Sequence, residues 1–213
     1  MRKLLPLVAA VLSACGSSSS SGPSYLVKGS AVFFDHADNC LFGTIPTGVS
    51  VAVVDVTDYT APPACDSMQA NDVAAGGAAA GLIIVRADFV TPGGPAPGLK
   101  VETYPFFDLA TVGPPANKQP PLDGLGTTGF FTGALVKCGA DGGSGESLIN
   151  GGSVTVTAVD EGAGTISGSV NASLVGGGSL KGSFSASLCT IPSIGVCAAV
   201  QTLSLNLPTP ACL

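Results

Sequence analysis

Hydrophobic and polar residues alternate most regularly between residues 154 and 188. Three consecutive stretches carry an apolar residue at every second position, with Ser, Thr, Asn or Lys between, and turn segments at 160–164 and 176–178 separate them. This period of two is typical of antiparallel strands with one buried face. The pattern predicts a C-terminal three-stranded meander whose buried face carries Val154, Val156, Ala158, Ile166, Gly168, Val170, Ala172, Leu174, Leu180, Gly182, Phe184, Ala186 and Leu188.

Two glycines, Gly168 and Gly182, interrupt the apolar face of this meander. Glycine inside a strand marks a bend or a close approach of another backbone, as at the corner of a barrel. The alternative is that Phe184 or its neighbours fill the two gaps.

The chain before the meander also favours short strands. Residues 49–57 are β-branched on both faces, which predicts a central strand covered on both sides. A first strand is predicted at 25–34, followed by a polar turn at 35–39. One face of this strand carries Tyr25, Val27, Gly29, Ala31 and Phe33. Further strands are predicted at 82–90, 99–107, 129–137 and 199–207, and the proline-rich residues 114–128 form a long loop.

The fold class follows from these patterns together with composition. The chain has 30 Gly and 16 Pro, which suit tight turns, and few of the residues that favour helices. We expect one all-β domain over residues 25–213, an antiparallel sandwich or closed barrel of about eight to ten strands that ends in the meander.

The first residues have the build of a secretory signal. Arg2 and Lys3 precede an apolar segment at 4–14. This segment is shorter than the ~20 residues that a membrane-spanning helix requires. The sequence therefore predicts export of the chain and removal of residues 1–14.

The end of this segment, Leu12-Ser13-Ala14-Cys15, resembles the lipobox of bacterial lipoproteins. The resemblance implies that Cys15 receives a diacylglyceryl thioether and becomes the acylated N-terminus. Gly16, rather than Asp, follows it, which favours the outer membrane or cell surface. Residues 15–24 then form a Ser-rich tether. The alternative is an ordinary signal with a chance cysteine at its cleavage point.

Charge excludes several classes of partner. The net charge is −6, charged residues make up 10% of the chain and hydrophobic residues 46%, which excludes a disordered chain. The basic residues beyond the signal are scattered, so nucleic acid is not expected as a partner, nor is electrostatic binding to anionic lipid. The predicted membrane contact is through the N-terminal lipid, and the composition identifies no protein or small-molecule partner.

Seven cysteines are present, and six remain after Cys15. An even number in an exported protein predicts disulfides, here three. We expect Cys40 to pair with Cys65 and the other four to pair among themselves. Metal ligation is the alternative, but the chain has no Cys-x-x-Cys pair and one histidine. The disulfide candidates are Cys40, Cys65, Cys138, Cys189, Cys197 and Cys212.

Three further motifs invite a chemical interpretation. Residues 124–129 match the Gly-x-Gly-x-x-Gly sequence of a dinucleotide-binding motif. That motif requires a strand before it and a helix after it, and neither is predicted here. Residues 35–39, with His36, could bind a cation, but a polar turn is the interpretation we favour. Asp55 and Asp58 are interpreted as solvated turn residues rather than an acid–base pair. No catalytic residue, metal or cofactor is expected.

A second resemblance covers most of residues 49–189. An Asp55-x-x-Asp58 pair leading to Cys65, and a meander that runs from Gly152 and ends Gly-Ser-Phe-Ser-Ala-Ser-Leu-Cys at 182–189, resemble uncharacterised β-rich lipoproteins of myxobacteria. This group has no established activity to transfer.

Three functions remain open. A structural or interaction lipoprotein is favoured. A small-ligand-binding barrel is suggested by Gly168, Gly182 and the pair Phe130-Phe131. An enzyme would require His36 to meet two carboxylates in a cleft.

Overall fold

The computed structural model describes residues 22–42, 45–60, 65, 72–89, 94–106, 127–132, 134–189 and 211–212. The elements with defined bounds in these ranges are all β-strands, as the sequence predicts, and Cys65 has helical backbone. In chain order the strands are β1 (Ser24–Leu26), β2 (Gly29–Phe42), β3 (Ile45–Thr57), β4 (Asp72–Val73), β5 (Ala78–Phe89), β6 (Thr103–Pro105), β7 (Thr127–Thr132), β8 (Ala134–Cys138), β9 (Ser144–Asp160), β10 (Thr165–Leu174), β11 (Ser179–Ser187) and β12 (Ala211–Cys212).

Ten of the strands form one sheet in the order β1-β11-β10-β9-β8-β5-β3-β2, with β6 added to β9 and β7 to β5. All of its pairs are antiparallel except β1 with β11. β4 and β12 form a separate two-stranded parallel sheet. The first five residues of β9 pair with β8 and its later residues pair with β10. The long β9 therefore belongs to both halves of the sheet and joins them.

The two halves pack on each other as a sandwich. Their inward side chains form one hydrophobic core, because strand residues two apart share a face. β2 and β11 meet in the described residues at one parallel bridge, Val32 to Leu188, rather than along a ladder. The sheet therefore does not close into a barrel. Core residues from the two halves include Val32, Ala52, Val54, Leu82, Ile84, Val154, Ile166, Val170, Leu180 and Phe184.

The prediction of a doubly covered strand at 49–57 is confirmed. In β3 the inward Val54 is 0% exposed and its outward neighbour Val53 is 4% exposed. β5, which pairs with β3, shows the same pattern, with Ile84 at 0% and Ile83 at 2%. A strand buried on both faces explains why β-branched residues continue without alternation here.

The predicted meander is confirmed as β9, β10 and β11, with two exceptions. The register of β9 against β10 shifts between Ser167 and Gly168, so that Ala158 faces solvent instead of the core. Leu188 lies beyond the end of β11 and is 53% exposed. A β-bulge reverses the facing of the residues on one side of it, and alternation alone does not reveal its position.

The N-terminal strand prediction is wrong in its bounds and in its facing. The chain pairs with β11 through Tyr25, leaves the ladder at Val27 and Lys28, and then pairs with β3. This change of partner puts Val32 in the core and Ala31 on the opposite face, in a separate cluster. Residues 35–39, predicted as a turn, continue β2, because pairing with β3 outweighs local turn propensity.

Other predicted segments are shorter than expected or lie outside the described residues. Within the described residues 99–106 of one predicted strand, β6 is the strand that forms, and the strand predicted at 129–137 corresponds to β7 and β8. The loop predicted at 114–128 ends before Thr127, where β7 begins, and its remainder lies outside the described residues, as do the strand at 199–207 and residues 1–21. Among the described residues no helix has the length and apolar character to cross a membrane.

Candidate functional site

A row of polar side chains occupies one end of the otherwise apolar inner face. The register aligns His36 of β2, Ser50 of β3 and Arg86 of β5. Ser50 is 3% exposed and Arg86 is 9% exposed, whereas His36 is exposed. Charged residues are seldom buried unless they have polar partners, so Arg86 makes this end of the core a candidate site.

Three side chains, from β5, β6 and the turn after β9, hold the backbone of residues 98–100 over this core. The Arg86 Nη1 donates to the Gly98 carbonyl at 3.2 Å, and the Leu99 N–H donates to Glu161 Oε1 at 2.8 Å. Tyr104 Oη donates to the Lys100 carbonyl at 3.0 Å and accepts from the Lys100 N–H at 2.9 Å. We call these residues the clasp: Arg86, Glu161, Tyr104 and the backbone of 98–100.

Tyr104 is the buried centre of the clasp, at 0% exposure. Loss of hydration raises the pKa of its phenol, and the nearby Glu102 carboxylate raises it further, while the hydrogen bond with Lys100 and the charge of Arg86 act in the opposite direction. The phenol therefore stays protonated at neutral pH and acts as a hydrogen-bond donor. Glu102 Oε1 is buried without a hydrogen-bond partner in the described part of the chain.

The chemistry available to the clasp is positional. Its hydrogen bonds go to backbone groups of one segment, and they fix that segment across the sheet end. Local sequence pattern does not predict this arrangement, although the arginine inside the apolar stretch at 82–90 is a usable signal for it.

The motif at 35–39 does not bring metal ligands together among the described residues. The His36 backbone N–H donates to Asp35 Oδ1 at 2.9 Å, and the His36 side chain is exposed. No group of three His, Cys, Asp or Glu side chains in the described ranges is close enough to hold a metal ion. The side chains of Asp38 and Asn39 lie outside the described residues.

Asp55 and Asp58 have separate environments. Asp58 Oδ1 accepts from the Ala78 N–H at 2.7 Å, where β3 ends. Asp55 lies within β3 on the outward face, between Ala31 and Gly81 in the register. Loss of hydration raises the pKa of Asp55 to about 8, opposed by a hydrogen bond from the Val56 backbone. The interpretation of Asp55 as a solvated turn residue is wrong, and its carboxyl is mostly protonated at pH 7.

A continuous polar surface lies on the outer side of the meander. Every outward position of β10 and β11 carries a hydroxyl except Asn171 and Lys181. Some hydroxyls bond across strands, as between Ser167 and Ser185 at 3.2 Å. Because a hydroxyl both donates and accepts, this hydroxyl face can bind uncharged polar groups. Its members are Thr165, Ser167, Ser169, Ser173, Ser179, Ser183, Ser185 and Ser187.

The two glycines on the inner face do not open a cavity. A Cβ at Gly168 would meet the Thr155 carbonyl and, at 2.8 Å, Phe184 Cζ. At Gly182, with φ 145°, a Cβ would meet Val27 Cβ at 2.9 Å. Phe184 thus fills the space at Gly168, and a neighbouring segment occupies the space at Gly182. The side chains of Phe130 and Phe131, in β7, lie outside the described residues.

Five of the six disulfide candidates are disulfide-bonded. Cys65 pairs with Cys189, and Cys138 pairs with Cys212. The predicted pair of Cys40 with Cys65 is wrong, because the end of β11 brings Cys189 to Cys65. Cys40 is also disulfide-bonded. Cys197 and the lipidation candidate Cys15 lie outside the described residues.

The glycine motif at 124–129 leads into a strand. β7 begins at Thr127, where a dinucleotide-binding site would require the start of a helix. The predicted strand after this motif is therefore confirmed.

Comparison of the chain with family models, curated proteins and solved structures found no match.

Proposed function

We propose that this chain is an exported lipoprotein of the bacterial envelope, anchored through acylated Cys15. Its disulfide-braced sandwich serves as a non-catalytic structural or interaction module on the outer membrane or cell surface. The observation that carries the proposal is the combination, in one chain, of a lipobox-like segment and a domain with paired cysteines.

The paired cysteines support folding outside the cytoplasm. Cys65 and Cys189 are 124 residues apart, and Cys138 and Cys212 are 74 residues apart. Such bridges persist in oxidising compartments and are rare where thiols are kept reduced. The N-terminal segment, with its basic residues followed by an apolar run, also has the features of an export signal.

The hydroxyl face supports the interaction role. It is broad and nearly free of charge, with Lys181 as the charged side chain among the outward positions of β10 and β11. Phe184 occupies the space at Gly168 and Val27 occupies the space at Gly182, the two inner-face glycines that could have lined a ligand cavity. No described feature therefore favours the small-ligand barrel over a module that acts through its surface.

The anchoring step is tested by expressing the full chain in a diderm bacterial host with labelled palmitate. Wild-type protein is expected in the outer-membrane fraction with label, and Cys15→Ser is expected in the soluble periplasmic fraction without label, because it lacks the thiol that accepts the lipid. Ser18→Ala, in the tether, is the matched control and should behave as wild type. Unlabelled wild-type protein, or a Cys15→Ser variant that keeps the label, would contradict the proposal.

A further inference from the structure

The point where the tether joins the sandwich is fixed by the structure. The Pro23 carbonyl accepts a hydrogen bond from the Ser179 N–H at 3.1 Å. A Cβ on Gly22 would meet the Gly177 carbonyl, so the backbones at this point are in close contact. The chain from Cys15 therefore enters at the turn between β10 and β11.

The tether is shorter than the sandwich. Seven peptide steps separate Cys15 from Gly22 and span at most about 25 Å. β11 has 9 residues, which extend over about 30 Å. A lipid on Cys15 therefore keeps the β10–β11 turn near the membrane, since the tether cannot run the length of the sandwich to bring the opposite end there.

Two exposed apolar side chains lie beside this turn. Leu148 of β9 is 58% exposed and Val175, just after β10, is 53% exposed. The Val175 N–H donates to the Leu148 carbonyl at 2.8 Å, continuing the register in which Leu174 faces Ile149. Leu174 and Ile149 are buried, so the next pair points outward. We call Leu148, Val175 and the glycines at 176–178 the turn patch.

The charges near the turn patch argue for an apolar partner. The exposed Glu146 is two residues from Leu148 on the same face of β9, and the 173–179 stretch has no charged residue. A patch with an acidic neighbour would not be drawn to anionic headgroups. Large apolar side chains at a membrane boundary are stabilised by entering the interface between headgroups and acyl chains.

We propose that the turn patch inserts into the membrane interface and holds the sandwich with its β10–β11 end down. This proposal rests on the anchoring of Cys15 proposed above. The lipid on Cys15 gives the turn patch a high local concentration at the membrane, so a small apolar contact is enough to hold it there. The meander strands then extend away from the bilayer. The hydroxyl face is thereby presented sideways to the surroundings of the membrane.

The chain contains no tryptophan, so a single introduced tryptophan reports its own surroundings. The test uses the full acylated protein carrying Val175→Trp, reconstituted into phosphatidylcholine vesicles with brominated acyl chains. Leu188→Trp is the matched control, because Leu188 is equally exposed at 53% but lies at the opposite end of β11. Leu148→Trp is a second reporter in case Val175→Trp does not fold, which thermal unfolding would show.

We expect brominated lipid to quench Val175→Trp several-fold more than Leu188→Trp, with no increase when anionic lipid is added. Co-flotation with the vesicles separates the two proposals. Protein that floats with the vesicles but shows equal quenching at the two positions would overturn the inserted patch and leave the anchor standing. Wild-type protein that does not float would overturn both.

Discussion

At the scale of single residues, burial determines the ionisation state of Asp55 and Tyr104. The pKa of each is raised chiefly by loss of hydration. Tyr104 loses nothing by this, because a phenol is neutral at pH 7. For Asp55, with a pKa of about 8, the same effect makes the stability of the fold depend on pH.

The stability of the native state is predicted to fall between pH 5 and pH 8. The unfolded chain releases the Asp55 proton near pH 4, whereas the native state holds it until about pH 8. Deprotonation therefore favours unfolding over this interval, by roughly one kcal/mol per pH unit. Asp55→Asn, which is neutral and similar in shape, is expected to lose most of this dependence in urea unfolding curves.

Asp72→Asn is the matched control, since it changes an aspartate elsewhere and leaves Asp55 intact. It is expected to keep the pH dependence of the wild type. An Asp55→Asn variant as sensitive to pH as the wild type would show that the Asp55 carboxyl is ionised in the folded protein.

The position of Asp55 could have been anticipated from sequence. Residues 49–57 were interpreted as a strand buried on both faces, and Asp55 falls inside that range. A carboxylate there must be paired or protonated, yet its closeness to Asp58 suggested a turn. The clasp was less accessible, because Arg86, Glu161 and Tyr104 come from distant parts of the chain and only the fold brings them together.

At the scale of secondary-structure elements, local pattern predicted the meander and failed where pairing outweighed it. The alternation in β10 and β11 depends on neighbours within one hairpin, so it is visible in the sequence. The continuation of β2 through residues 35–39 depends on its pairing with β3. The register shifts between Ala37 and Cys40, so the polar residues Asp38 and Asn39 lie in a β-bulge. The local sequence pattern does not predict such a bulge.

Gly168 in β10 is predicted to be intolerant of a side chain. A Cβ there would meet the Thr155 carbonyl and the ring of Phe184. The Thr155 backbone is held in β9 and cannot easily move to make room for it. Gly168→Ala should lower the free energy of unfolding by about 1–3 kcal/mol. Gly145→Ala is the matched control in β9, because a Cβ at Gly145 meets nothing within 4 Å.

Chemical denaturation of the two variants decides this point. The control is expected to stay within about 0.5 kcal/mol of the wild type. A Gly168→Ala variant as stable as the control would mean that the close approach of β9 and Phe184 is not part of the folded structure.

The bridge between Cys138 and Cys212 is predicted to be a main support of the fold. It joins β8 to β12 and encloses 74 residues. In the chain-entropy description, replacing both cysteines by alanine lowers the free energy of unfolding by about 4 kcal/mol. The measurement is urea unfolding of the double variant Cys138→Ala/Cys212→Ala beside the wild type under oxidising conditions.

Reduction with dithiothreitol provides the control for this prediction. The reduced wild type and the reduced double variant should approach the same stability, because neither then has the bridge. Equal stability before reduction would contradict the assigned pairing. The pairing itself was beyond sequence reasoning, since six cysteines allow fifteen connectivities and the partners meet only after the sheet has formed.

At the scale of the whole molecule, the sandwich separates three functions in space. The proposed anchor is the N-terminal segment, the clasp fixes one end of the core, and the hydroxyl face offers a nearly uncharged polar surface. The all-β class was predictable because composition and alternation agree along the chain. The choice of a sandwich over a closed barrel was not, because it depends on whether β2 and β11 form a ladder.

The central claim is that Cys15 carries lipid and that the rest of the chain folds outside the cytoplasm. The intact mass of protein extracted with detergent from the membranes of an expressing bacterium tests it most directly. The account predicts loss of residues 1–14, added mass of a diacylglyceryl group with fatty acyl chains, and the hydrogen deficit of disulfides among the remaining cysteines. A product that retains residues 1–14, or one that carries no fatty acyl mass, would contradict it.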